Sequence, residues 1–491
     1  MMESRKVAPM TPSVRVRVLA GACFTCALLA PPFGATSIAQ PASAGPVWPK
    51  LSQAQQTEVM RFGEDFKTFI GRARSSMTFV EEATALVEAS GFKRWPASPV
   101  RTDIRPGSRW YAVNRERTIV AFVIGSEPLS RGARIVNTHN DAVHLTLKPK
   151  PFRDSFDIVL VDTLPHGGIK NYQWVNRPLA LIGRVNKPDG TTVQVSIGRT
   201  PGDPVLLISD LSPHVDLDFR NRTNRDVIQT EELDPILAST GEAAAQALKD
   251  KYGLTRDDFL SADLQIVPAE EPVDVGLDRQ LVAAYGHDDR SNGYAAFRAI
   301  VEVGTPQKTA IAYGVNNEEV GSWTTGVNSE WFPSLLAEVL AAQEVDYSDL
   351  VLRRALRASQ VLVSDCTTAL NPLFPQPFLP NGSARLGWGL VFKEYGPGRE
   401  ADSEYFAEVR RIFDAAGVRW QTHAYRAGYG GSTIAQWFAN ANMDAIDVGI
   451  GLLSMHSPMD VSAKVDLWEL YRGFKAFWGT PPTTAAPHSP R

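Results

Sequence analysis
The chain has 491 residues, 44% of them hydrophobic and 21% charged, and its formal net charge is −4. Its length suggests two to three domains, and its composition is that of a globular chain with an ample core. With no basic excess and no long block of like charge, it lacks the footprint of a nucleic-acid-binding or polyanion-binding protein.

The first predicted element is a leader. Arg5, Lys6, Arg15 and Arg17 precede an apolar stretch over residues 18–30, and small residues follow as far as Ala42-Ser-Ala44. That order of basic, apolar and small residues is a secretory signal over residues 1–44, with cleavage after Ala44 or, alternatively, after Ala39. The apolar stretch is too short to span a bilayer, and no later segment qualifies, so no membrane association is expected after cleavage. Ala20-Gly-Ala-Cys23 resembles a lipoprotein signal only faintly, because Cys23 sits at the start of the apolar stretch. Cys23 and Cys26 leave with the leader, so the exported chain, periplasmic or secreted, keeps Cys366 alone and forms no intrachain disulfide. Cys366 reads as a packed thiol.

Apolar residues recur with helical spacing over residues 52–71 and 79–90, which predicts two core-packing helices. Strand-like runs at 118–124 and 134–137 lead to His139 and open an alternating α/β pattern that resumes after residue 275. Between them, residues 150–270 have another texture: short β-rich pieces at 158–161, 179–185, 192–197 and 205–208, separated by Gly, Pro, Asn and Asp turns. The expected organisation is a discontinuous catalytic domain (45–149 and 271–478) interrupted by a β-rich domain (150–270). A Pro/Thr/Ala/Ser tail over 479–491 is expected to be disordered.

Five segments carry the chemistry: Ile135-Val-Asn-Thr-His-Asn-Asp141, Tyr285-Gly-His-Asp-Asp-Arg290, the run from Thr309 to Glu318-Glu319, Val361-Leu-Val-Ser-Asp365, and Val448-Gly-Ile-Gly-Leu-Leu-Ser-Met-His456. Aliphatic runs that end in a polar residue are what buried parallel strands look like where their carboxyl ends meet a crevice. Imidazole and carboxylate groups converging there suit a pair of divalent cations about 3.5–4 Å apart, able to activate a shared water. Asp288 is the expected bridge, Glu318 the proton acceptor and Glu319 a ligand. Asp141, one residue removed from His139 and on the same strand face, is expected to orient that imidazole. Asp288 and Asp289 also read as an N-cap for a helix beginning near Gly293, and the two roles are compatible.

In this order the segments resemble the aspartyl-aminopeptidase family of two-metal exopeptidases, especially its bacterial branch, here as an exported member. The likeness extends to Arg105-Pro-Gly-Ser-Arg-Trp-Tyr-Ala-Val-Asn-Arg115, His166-Gly-Gly-Ile-Lys-Asn-Tyr-Gln-Trp174, Arg177-Pro-Leu-Ala-Leu-Ile-Gly183 and Gly430-Gly-Ser-Thr-Ile434. The resemblance implies a three-layer αβα peptidase domain with an inserted β-rich dimerisation domain, and a homo-oligomer built from dimers into a particle of twelve. It implies His139, Asp288, Glu319, Asp365 and His456 as ligands of two ions per chain, zinc by expectation with cobalt or manganese as alternatives. Glu318 is the implied general base and peptides the implied substrates. His166, Asp210 and His214 stay outside the catalytic set, Asp210 because some relatives carry histidine there. His287 is expected in support of the ligands, and Trp174, Trp323, Trp388 and Trp437 in packing.

Specificity is where the sequence departs from the resemblance. The family's lysine for an acidic substrate side chain aligns with Glu394, one residue after Lys393. One residue along a strand reverses the face, so the expectation places Glu394 in the pocket and Lys393 away from it unless a bulge shifts the register, with acidic preference weakened or lost and basic or neutral N-terminal residues accepted; the alternative is an alignment slipped by one, in which Lys393 keeps the family's role. A deacylase or carboxypeptidase would use the same metal set, and a non-catalytic exported binding protein would keep only the fold.

Overall fold
The structure is a computed structural model that describes residues 45–96, 104–200, 202–321, 323–343, 346–396 and 399–481. The leader with Cys23 and Cys26, and the tail from residue 482, lie outside the described residues. Among the described residues no helix is long and apolar enough to cross a membrane.

The main sheet is organised around four parallel strands in the order Thr309–Val315, Ala133–His139, Gln360–Ser364 and Asp444–Gly449. Antiparallel strands extend it on both sides, Thr118–Val123 and Arg109–Asn114 beyond the first and Leu390–Gly396 beyond the last. Each central strand is aliphatic on both faces because each face is covered. Ile135, Val361 and Val363 pack with Phe332, Leu336 and Phe438 from one helical layer. Their neighbours Val136 and Leu362 turn to the opposite layer, against Phe66, Tyr294, Phe413 and Phe474. This is a three-layer αβα arrangement.

Helix Gln53–Arg72 begins at a Ser52/Gln55 capping box, as the spacing predicts. The second helix, Ser76–Ala89, starts three residues before the periodic run at 79, because Ser75 and Thr78 form another capping box. The last helix, Lys464–Gly479, ends on residues that anchor Arg134, whose Nη1 donates to the carbonyl of Phe477 at 2.7 Å and to that of Thr480. Residues 479–481 are thus ordered, and the expected tail starts too early by that margin.

A second, antiparallel sheet is formed within residues 144–268, in the order Thr192–Ile197, Leu179–Asn186, Ala262–Pro268, His144–Ser155, Ile158–His166 and Ile236–Ala238. It begins at His144, before the expected boundary at 150. Leu145, Val161, Leu181, Val185, Leu264 and Ile266 form its core with the fully buried Trp174. The expected strand at 205–208 is reduced to isolated bridges from Leu206 to Leu179 and from Leu207 to Ile236, since the chain there bends into a long exposed loop. Trp323, expected to pack, is 72% exposed.

Candidate active site
Parallel pairing sets the site, because it brings the carboxyl ends of the central strands to one edge. His139 is the last residue of its strand and lies opposite Val315, the last of the neighbouring strand, whose chain then turns through Glu318 and Glu319. Asp365 follows Ser364 on the other side, and its N–H donates to the Val448 carbonyl at 2.9 Å. Asp288 comes from a different local device. Gly286, at φ +78°, turns the chain where any side chain would run into Arg290. Asp288 and Asp289 then keep non-helical dihedrals before the helix proceeds. The regular helix follows Asp289, so this aspartate stands at its entry, with its Oδ2 accepting the His139 N–H at 3.1 Å.

Asp288 lies between two histidines. Its Oδ1 is 3.3 Å from His139 Nε2, and its Oδ2 is 3.3 Å from His456 Nε2. His139 Nε2 is also 3.8 Å from Asp365 Oδ1, and His456 Nε2 is 3.3 Å from Glu319 Oε1. Two histidine-containing donor sets result, His139/Asp288/Asp365 and Asp288/Glu319/His456, and Asp288 is common to both as well as to a third group without histidine, Asp288/Asp289/Cys366. Glu318, Lys393, Cys366, Tyr425 and Gly168 help to line the same cavity of about 400 Å³.

The donors suit metal on the chemistry of their free atoms. His139 Nδ1 faces the Asp141 carbonyl at 2.9 Å and His456 Nδ1 faces the Gly168 carbonyl at 2.9 Å. Those acceptors keep a proton on each Nδ1 and turn each Nε2 toward the carboxylates, where a cation that displaces the second proton would find its lone pair. Asp288 Oδ1 and Glu319 Oε1 are buried without a hydrogen-bond partner. An uncompensated buried carboxylate is costly, and mixed nitrogen and oxygen donors are what zinc takes.

The electrostatics agree. Burial disfavours charge on His139 and His456, yet hydrogen bonds and attraction from the surrounding carboxylates hold His139 well above its ordinary value and His456 up to about 10. Burial pushes Glu319 and Asp289 well up, and it pushes Glu318 to about 7, where the charges of Asp365, Asp141 and Asp288 add and that of His139 opposes. The crevice is short of positive charge.

Asp141 supports the crevice beneath its rim. Its Oδ1 accepts the Glu318 N–H at 3.1 Å and its Oδ2 the Glu319 N–H at 3.2 Å, while His166 Nε2 lies 2.9 Å from Oδ2. Sequence reasoning left out two residues that take part. Asp289 Oδ2 accepts the His139 N–H at 3.1 Å, and His166 braces Asp141. The His-Gly-Gly triplet was the available signal for the second. Asp210 and His214 are exposed in the long loop. His287 packs on Phe66, 5.2 Å between ring centroids, and burial lowers it to about 3, so it is a neutral core imidazole outside both donor sets. Cys366 is buried, its thiol pushed well up by burial.

Lys393 departs from expectation. Its Nζ donates to Asp365 Oδ2 at 2.9 Å and to the Cys366 carbonyl at 2.7 Å, and it lines the metal cavity instead of turning away. The pairing of its strand with Trp420–Ala424 shifts register between Phe392 and Tyr395, so simple alternation does not assign the faces there. Glu394 belongs to the same strand.

The sequence matches the family described as "Aminopeptidase I zinc metalloprotease (M18)" over residues 69–478. It is 37% identical over 451 residues to a probable M18 family aminopeptidase 1 of Clostridium acetobutylicum, covering 88% of this chain and 97% of that one. The fold is similar to the crystal structure of an M18 aminopeptidase from Thermotoga maritima, with a TM-score of 0.82, 32% identity, and coverage of 89% of this chain and 99% of that one. It is also similar, at 20% identity and a TM-score of 0.70, to the S. cerevisiae mApe1 dodecamer, with coverage of 84% and 95%. These relatives favour neither a deacylase or carboxypeptidase nor a non-catalytic protein. With a zinc-compatible pair of donor sets at the strand ends and relatives matched over nearly their whole length, the chain belongs to the M18 family of zinc metallo-aminopeptidases.

Proposed function
We propose that this aminopeptidase removes N-terminal residues from peptides with Glu318 as its proton carrier, and that it accepts acidic N-terminal residues through Lys393. The observation that carries the first part is the pair of donor sets sharing Asp288, with Glu318 beside them. His139, Asp288 and Asp365 would hold one ion and Asp288, Glu319 and His456 the other; such ions would supply Lewis acidity, polarising a substrate carbonyl and lowering the pKa of a water so that Glu318 can deprotonate it. Glu318 takes a proton from the attacking water and returns it to the leaving amine. A buried carboxylate beside the attacking water can do both. Asp141 holds the amides of Glu318 and Glu319, which fixes the base relative to the ligand next to it.

Lys393 supplies the second part. It is a buried ammonium in the cavity wall, and a substrate carboxylate could share it with Asp365. The sequence order of the leader supports export and cleavage after Ala44, and amino-terminal sequencing of the native protein tests both. The likeness to a dodecamer supports a homo-oligomer of that kind, in which only short or unfolded peptides would reach the site. Sedimentation of the zinc-loaded protein tests the assembly.

Glu318→Gln decides the central reading. It keeps the shape and removes the base, so kcat falls roughly 10²–10⁴-fold while zinc stays at two ions per chain. Activity within a few-fold of wild type would remove Glu318 from the mechanism.

A further inference from the structure
The second sheet enters the active site of its own chain. Strand Ile158–His166 pairs with His144–Ser155 so that His166 lies opposite His144, and their rings stack with centroids 4.1 Å apart and planes 20° from parallel. His144 is held by its own Nδ1, 2.8 Å from the Ala142 carbonyl. That pairing presents His166 to Asp141, which in turn holds the amides of Glu318 and Glu319. Two residues later the Gly168 carbonyl takes the Nδ1 side of His456. Gly167, between them, has φ +78°, and a Cβ there would stand 2.9 Å from Glu319 Oε2 and 2.8 Å from Val143 Cγ1. Three consecutive residues therefore touch the support of the base, one carboxylate donor and one imidazole donor.

The structure assigns the His166-Gly167-Gly168 segment as a positioning element for the metal site, through which the Asp288/Glu319/His456 donor set depends on the register of the second sheet. His166 acts through Asp141, and Gly168 acts by orienting His456. The glycine between them is required because the chain passes against Glu319 in a left-handed conformation. Supports of this kind, removed singly, typically lower metal affinity or activity by one to two powers of ten. The assignment makes the second sheet part of the catalytic apparatus of the same chain, whatever it does in assembly.

The inference rests on Glu319 and His456 being ligands, and the experiment separates the two. Zinc content and zinc affinity are measured by chelator competition, with kcat and KM, on full-length protein carrying Glu319→Gln, Gly167→Ala, His166→Phe or His166→Gln. Glu319→Gln reduces zinc from two ions per chain to one; if it keeps both, the ligand reading itself fails. Given that loss, Gly167→Ala is expected to give one ion as well. His166→Phe, which keeps a ring to stack on His144, is expected to weaken zinc binding roughly 10- to 100-fold and lower kcat with little change in KM. His166→Gln restores a donor to Asp141 and should recover both to within a few-fold. If Gly167→Ala does not fold, the His166 pair decides alone. Wild-type zinc affinity in His166→Phe, or equal loss in Phe and Gln variants, overturns the assignment.

Discussion

Carboxylates are treated differently in the two sheets. Around the second sheet they are met by guanidinium groups: Asp154 by Arg256, Asp162 and Asp234 by Arg153, Glu232 by Arg222, and Glu270 by Arg177. In the crevice, Asp141, Asp288, Asp289, Glu318, Glu319 and Asp365 are faced by two imidazoles at the donor sets, by His166 and by the Lys393 ammonium. Surface pairs of the first kind contribute little individually and need nothing else. A buried excess of carboxylates persists only if cations or protons compensate it. The contrast identifies the crevice as functional before any chemistry is assigned.

Metal removal tests that contrast most strongly. Stripping zinc leaves the crevice carboxylates uncompensated, so activity is lost and the thermal midpoint falls by several degrees. A ligand at about 1,000 times its Kd stabilises by roughly 4 kcal/mol per site. Hydrogen exchange should rise at 286–292 and 316–321 and stay unchanged in strand Leu179–Asn186. A chelated protein with an unaltered midpoint would mean that protons and water satisfy the crevice, and the comparison would fail.

The second sheet should answer to volume where the crevice answers to charge. Leu181 is fully buried in its core. Leu181→Ala is expected to cost about 2–5 kcal/mol in denaturant unfolding, by the transfer and cavity terms together, without altering zinc stoichiometry in the folded protein. A change in stoichiometry would show that the packing of this core, and not only the His166–Gly168 end of the sheet, sets the donor geometry.

Much of this was legible in the sequence, and the parts that were not share a cause. His139 and Asp365 could be read because a strand buried on both faces is an unbroken aliphatic run, and its first polar residue marks the sheet edge. The same argument found Glu318 and Glu319, while His456 came from the order of the segments. Alternation alone turns Lys393 away from the cavity and only a bulge returns it; whether the strand is bulged could not be read from the sequence, because the shift between Phe392 and Tyr395 exists only relative to another strand. His166 escaped for a related reason. Its partner Asp141 is 25 residues away, and only the pairing of His144 with His166 brings them together. Gly286 could have been foreseen as a turn, but not the kink after it that leaves Asp288 and Asp289 non-helical at the entry of the helix.

Specificity is the next effect in size. Lys393→Met removes the one ammonium that lines the cavity among the described residues. For peptides beginning with Asp, kcat/KM should fall roughly 10- to 100-fold relative to peptides beginning with Ala, which corresponds to one charge-assisted hydrogen bond of about 1.5–3 kcal/mol. Because Lys393 also holds Asp365, zinc content is measured alongside. Equal losses on both peptides, with zinc retained, would assign Lys393 to holding Asp365 and leave acidic preference without a residue.

The smallest effect probes how the base loop is fixed from the other side of the crevice. Ser76 opens the helix Ser76–Ala89, and its hydroxyl donates to Asn316 Oδ1 at 2.6 Å in a fully buried setting. Asn316 in turn donates to Asn317 Oδ1 at 2.9 Å and to Thr325 Oγ1 at 3.1 Å, which closes the loop that carries Glu318. Ser76→Ala leaves Asn316 Oδ1 buried without this donor, an expected cost of about 1–3 kcal/mol. Helix capping is untouched, because Ser75 and Thr78 provide it. Asp141 still holds the Glu318 and Glu319 amides, so kcat should change no more than a few-fold and zinc not at all. Should kcat fall as far as in His166→Phe while stability is unchanged, the loop would be positioned mainly by the Ser76 helix, and the second sheet would lose its proposed share in holding the base.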